Sequence, residues 1–297
     1  MNGLNASPRR MMMPPSFAEI LVDGPDALSF VHGQLAGDIK AIAHGHWRFA
    51  AYCVPDGRVQ ALMMVAVNAA TRLRLLLPEE LAGTVQDRLR RYRLRARCEI
   101  AGRSVQIARC GPTGPGALAD NHCVYQSDAF QWQLCNAEST PLDASIWSDQ
   151  VALGIPWIVS ATSEKFLPQM LSLEQLGAFS LRKGCFPGQE IVARTHFLGR
   201  SKRHLATLTR TAGSDPLAPG CELLSTINTS VTAGWIIADG HPELPLALAV
   251  VTDSASETLC SGVASQDSRA TFVINRESTE TKRDKLLNGR CLLPLQT

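Results

Sequence analysis

Lys183-Gly184-Cys185-Phe186-Pro187-Gly188-Gln189-Glu190 sets a thiol, a cation, two glycines and a carboxylate between two apolar segments. A stretch of this kind reads as a loop that feeds a helix. Gly184 and Gly188 admit backbone angles that a Cβ resists, and Pro187 suits a first helical turn, where its missing N–H costs nothing. The spacing predicts a helix from Gly188 to about Thr195. Cys185 then stands just ahead of that helix, where the partial positive charge of the helix dipole and the neighbouring Arg182 and Lys183 favour thiolate over thiol. The same residues also fit a plainer arrangement, a tight turn with Cys185 as a small buried apolar side chain.

Downstream of this motif, short apolar runs are cut by turns: His204 to Thr209, Glu222 to Leu224, Ala233 to Ala238, Leu246 to Thr252 and Thr271 to Ile274. Such spacing predicts a small β-barrel or sandwich. Upstream, Phe17 to Val22 reads as a strand, and Gly24-Pro25-Asp26 opens a helix that buries Leu28, Val31 and Leu35. Trp47 to Val54 and Val59 to Val67 flank the turn Pro55-Asp56-Gly57-Arg58, a hairpin signal. Leu73 to Leu77 is a third strand, Glu79 to about Leu94 an amphipathic helix through Leu81, Val85 and Leu89, and Ala96 to Ile100 a further strand. That order suggests a compact α+β lobe. Gly111-Pro112-Thr113-Gly114-Pro115-Gly116 is the strongest linker signal in the chain.

At 297 residues with 45% hydrophobic side chains, the chain has material for two or three cores. No window approaches the roughly eighteen uninterrupted apolar residues of a membrane span, and the Arg9–Pro15 region lacks the long apolar stretch of a signal peptide. Nine cysteines, at 53, 98, 110, 123, 135, 185, 221, 260 and 291, form no C-x-x-C pair, which disfavours disulfide frameworks and zinc sites and suits free thiols in a reducing cytoplasm. Of the histidines only His44 and His46 lie close together, beside a glycine in an expected loop, and no metal site is assigned. Net charge is only +2, yet Arg88, Arg90, Arg91, Arg93, Arg95 and Arg97 crowd the end of one expected helix. Such a field attracts RNA phosphates or a polyglutamyl tail. Without interleaved surface aromatics, it reads as a solvated helix end.

The run from Lys183 to Arg194 resembles the signature K-G-C-[YF]-x-G-Q-E-x-V-A-R of the YgfZ-type folate-binding proteins, relatives of the glycine-cleavage T-protein, an aminomethyltransferase. The resemblance extends to Val22–Ala27 and Phe30–Ile39, with Ala36 in place of the usual threonine, to Phe166-Leu167-Pro168-Gln169, and to Gly199–Arg203. It implies an α+β fold, a three-lobed T-protein-like cloverleaf of two α+β domains and a C-terminal β-barrel. The expected limits are 1–46 with 115–202 for a discontinuous domain carrying the KGCFPGQE motif, 47–114 for an inserted domain, and 203–297 for the barrel.

The resemblance also implies tetrahydrofolate or another folate as cofactor. Phe17 and Trp147 match the aromatic contacts, Gln34, Asp38, Gln189 and Glu190 are the polar candidates for the pterin edge, and Arg194 and Arg200 those for the anionic tail. Cys185 and Lys183 form the functional motif. A T-protein needs a carboxylate after its glycine turn, but Gln60 and Ala61 stand at the matching turn here, and neither titrates usefully. Binding without aminomethyl transfer follows. The leading expectation is a monomeric, cytoplasmic folate-binding protein that partners iron–sulfur enzymes and their assembly machinery, including enzymes that thiolate tRNA, with no direct DNA contact and no membrane. A folate-dependent one-carbon or demethylating transferase, using Asp38 or Glu190 as base, is the alternative. An RNA-binding module acting through the arginines is the weakest of the three.

Overall fold

Strands with apolar side chains on both faces dominate the chain, and a computed structural model shows how both faces are covered. It describes residues 16–109, 124–136, 145–199, 201–213, 215–228, 230–240, 244–255, 260–265, 268–274 and 289–292. In chain order the elements are β1 (Phe17–Asp23), α1 (Ala27–Gln34), β2 (His46–Cys53), β3 (Val59–Ala69), β4 (Arg72–Pro78), α2 (Glu79–Tyr92), β5 (Glu99–Arg109), β6 (Val124–Gln126) and β7 (Gln131–Asn136). They continue with α3 (Ser145–Leu153), α4 (Gln189–Leu198), β8 (Arg203–Ala212), β9 (Glu222–Ser225), β10 (Thr232–Asp239), β11 (Leu246–Thr252), β12 (Cys260–Ser265), β13 (Ser268–Ile274) and β14 (Gly289–Leu292).

Two sheets close on themselves. The first runs β1-β4-β3-β2-β14-β6-β7-β5 and the second β10-β11-β8-β13-β12-β9. Closure removes the exposed strand edges that long apolar strands such as β3 would otherwise present. α2 lies against β1, β4 and β5 and buries Leu81, Val85 and Leu89, as its periodicity predicts. In β11 the alternation of side chains decides which core each residue joins: Ala247, Ala249 and Val251 fill the second barrel, while Leu248 and Val250 pack with the first core. The second barrel's other face therefore packs on the first core, with α3 lying against β10 and β11. The architecture is the expected α+β class with a C-terminal β-barrel.

Strand pairing departs from the expected domain limits in two places. β1 lies between β4 and β5, from Phe17 opposite Pro78 and Val105 to Asp23 opposite Arg72 and Glu99, so the limit at 46/47 does not separate two sheets. β14 pairs with β2 and β6, so the end of the expected barrel segment returns to the first sheet. The expected linker at Gly111–Gly116 lies outside the described residues.

Candidate functional site

The β2–β3 turn and the start of α4 meet backbone to backbone. Asp56 accepts from the Arg58 amide at 3.1 Å, and Gly57, with φ 80°, closes the turn through its N–H to the Val54 carbonyl at 2.9 Å. Gly188 precedes α4, also at φ 80°. A Cβ there would stand 2.4 Å from the Val54 carbonyl oxygen and 2.7 Å from the Gly57 Cα. One on Gly57 would stand 3.0 Å from the Ile191 Cβ. Each glycine thus leaves room for the other segment, and the KGCFPGQE motif is seated on the hairpin by contacts only glycine allows. α4 itself begins where the motif predicts and runs to Leu198, a turn beyond the expected end.

Lys183 fastens the same motif to α1. Its side chain is buried, and its ammonium donates to the carbonyls of His32 and Leu35 at the C-terminal end of α1, where acceptors lack helical partners and the dipole favours a cation. It also lies 5.5 Å from the centroid of the buried Phe186 ring. Lys183 is therefore placed to position the loop, with its N–H groups engaged by both carbonyls. Ala36 completes the junction: its N–H donates to the Ala51 carbonyl at 2.8 Å and its carbonyl accepts from Ser180 at 2.9 Å.

Burial pulls the Lys183 pKa down to about 8 from its ordinary 10.5; Asp38 opposes the shift and Lys40 adds to it. The imidazole of His32, whose Nδ1 accepts weakly from the Lys40 amide at 3.5 Å, is likewise held below its usual value by burial and by Lys183, with Asp38 opposing. Between pH 8 and 10.5 the unfolded chain binds a proton at residue 183 that the folded chain has released, so stability rises with pH across that window. The expected rise is on the order of 1–3 kcal/mol relative to Lys183→Met, which has no charge to titrate. Urea unfolding of both proteins from pH 7 to 10.5 checks it, and parallel profiles would refute it.

Cys185 is exposed. Gln34, the last residue of α1, has a buried Oε1 with no partner among the described residues, and Asp38 is half-exposed 3.6 Å from His32 Nδ1. Gln189 opens α4, while Glu190 and Arg194 face solvent along it. Gln169 donates to the Val192 carbonyl at 2.8 Å, and its Oε1 is also buried without a partner among the described residues. Phe17 stands apart as a core residue, 5% exposed and edge-on to Trp157 at 5.3 Å, so it offers no open face to a ligand. Half-buried Trp147 ties α3 to β10 through its Nε1, which donates to the Asp239 carbonyl at 3.0 Å. Arg200 lies outside the described residues.

The structure adds a residue that no sequence pattern announces. Glu164 has a left-handed backbone, φ 59°, a conformation costing an ordinary side chain about 1–2 kcal/mol. Its Oε1 accepts from Gln60 Nε2 at 2.8 Å, and the Ser163 hydroxyl donates to the Gln60 carbonyl at 2.7 Å. A carboxylate thus stands beside the turn where Gln60 and Ala61 supply none. Among the described residues, no three His, Cys, Asp or Glu side chains gather as a metal site, and no helix is long and apolar enough to cross a membrane.

No protein-family model matches the chain. It is 27% identical to a tRNA-modifying protein YgfZ of Klebsiella pneumoniae, over 71% of this chain and 75% of that protein. It is 24% identical to a tRNA-modifying protein YgfZ of Aliivibrio fischeri, over 81% of this chain and 84% of that one. Among solved structures, the glycine cleavage system aminomethyltransferase T of Bartonella henselae superimposes with a TM-score of 0.64 at 12% identity, covering 92% of this chain and 85% of that one. At that identity the likeness is one of fold.

Proposed function

We propose that this chain, a YgfZ-type protein related to the glycine-cleavage T-protein, binds tetrahydrofolate or another folate. In this reading it works in the cytoplasm and supports assembly or repair of iron–sulfur clusters, including those of tRNA-modifying enzymes. The observation that carries the reading is the exposed Cys185 thiol on a loop that Lys183 fastens to the end of α1.

The residues at this junction fit a folate. A pterin edge is rich in N–H donors, and Gln34 Oε1 and Gln169 Oε1 are buried acceptors without partners among the described residues, the state that a bound donor would relieve. Asp38 and Glu190 add carboxylates, and Arg194 a cation for the glutamate tail. A reduced folate, when bound, supplies a carrier for one-carbon units. The protein's own residues would orient it and keep Cys185 presented to a client.

Tryptophan fluorescence of the full chain should be quenched saturably by tetrahydrofolate. Absence of saturation up to millimolar ligand would sink the reading. One observation favours the alternative transferase: Glu164 gives the Gln60 turn a carboxylate after all. Formation of methylene-tetrahydrofolate from an S-aminomethyl thiol donor, the thiol and ammonia leaving, would decide for that second reading.

A further inference from the structure

Six arginines, 88, 90, 91, 93, 95 and 97, fall in the run 88–97, which contains no acidic residue. The structure sorts them. Arg97 pairs with Asp26, Nε to Oδ2 at 3.1 Å. Arg90 and Arg93 each give an N–H to a backbone carbonyl, that of Ile100 at 3.0 Å and that of Cys98 at 3.1 Å, which orients them, and Arg90 also lies beside Asp87. Arg91 and Arg95 are exposed and make no ion pair among the described residues.

The one aromatic of the run, between Arg91 and Arg93, proves to be a surface side chain. Tyr92, the last residue of α2, is 44% exposed, and Arg88 lies over its ring at 6.0 Å and over that of buried Tyr52 at 5.4 Å. Leu94 follows, 86% exposed, with a left-handed φ of 39° that costs an apolar residue energy and keeps it out of the core. A cleft of about 490 Å³ opens beside them, lined by Gln60, Thr84, Asp87, Arg88, Arg91 and Tyr92. Asp87 is the acid at its rim, 3.8 Å from Arg90.

We propose that the end of α2 and the loop after it form a binding surface for single-stranded nucleic acid, with Arg91 and Arg95 on phosphates and Tyr92 stacking a base. The combination selects this partner. An acidic peptide would use the cations and leave Tyr92 idle, and a membrane surface would want a wider apolar face than Tyr92 and Leu94 provide. Every base has a π-face, so stacking on Tyr92 with cations beside it binds a strand without reading its sequence. The inference stands apart from the folate reading, since none of these residues belongs to the Cys185 junction.

Fluorescence anisotropy of the full chain with labelled single-stranded ribo- and deoxyribo-oligonucleotides tests it. Binding should be saturable and weaken as salt rises, with Arg91→Ala and Arg95→Ala each reducing the log–log slope by about 0.7. Tyr92→Ala should weaken binding about tenfold at fixed salt without changing the slope, and Tyr92→Phe should restore most of it. The oligonucleotide bound more tightly identifies the source, RNA or DNA. Thermal melts of the variants should match the parent, because the three side chains are exposed. Absent or salt-independent binding would overturn the proposal. So would binding indifferent to all three substitutions, or equal binding of polyglutamate or anionic vesicles with no effect of Tyr92→Ala.

Discussion

Gly188→Ala should be the most destabilising single methyl added anywhere in the KGCFPGQE motif. The residue has φ 80°, where an alanine costs about 1–2 kcal/mol, and the new Cβ would stand 2.4 Å from the Val54 carbonyl oxygen. The obstructing atoms are backbone on a two-stranded turn, so no side chain can rotate away. Overpacking of that kind adds about 1–3 kcal/mol. Together the terms predict a fall in melting temperature of roughly 5–15 °C, or loss of soluble protein. Gly184→Ala is the control from the same motif: nothing lies within 4 Å of its ideal Cβ and its φ is not left-handed, so the change should stay within about 0.5 kcal/mol. Equal effects of the two substitutions would show that the hairpin does not seat the motif.

That contrast also marks where reading the sequence stops. Both glycines announce a turn, but only the fold reveals that one of them touches Gly57, 131 positions earlier in a different motif. Elements governed by local pattern were legible: Leu246–Thr252 is a strand end to end, and Leu81, Val85 and Leu89 are the buried stripe of α2. Elements governed by distant partners were not. β5 starts at Glu99 rather than Ala96 and runs on to Arg109, because β1 and β7 on either side supply its ladder. β14 is a four-residue strand whose partners β2 and β6 lie far back in the chain.

The candidate site divides in the same way. Residue types at the α1–α4 junction follow from the motifs, whereas the direction of a side chain does not. Lys183 reads as a cation beside a thiol, and only the fold shows that the C-terminal end of α1 gives its ammonium two carbonyl acceptors. Glu164 carries no signal at all, since nothing in a sequence marks a non-glycine residue that the surrounding bonds hold left-handed.

If the proposed function holds, Cys185→Ser should abolish support of cluster-dependent tRNA-modifying enzymes while leaving the melting temperature unchanged. Serine keeps the size but offers no thiolate, and an exposed residue contributes little packing to lose. The chemistry behind this expectation can be measured directly. Iodoacetamide added to the native protein near neutral pH should alkylate Cys185 first, the sulfur displacing iodide. Cys53 should resist, being fully buried, with its thiol pushed up to about 12 by that burial and, secondarily, by Asp56. Cys98 should resist for a similar reason, its pKa raised first by burial. Mass-spectrometric mapping at several pH values separates the sites. Modification of Cys185 only after denaturation would make it a structural cysteine, and a Cys185→Ser protein that still sustains the client enzymes would remove the thiol from the mechanism while leaving the folate titration free to stand or fall on its own.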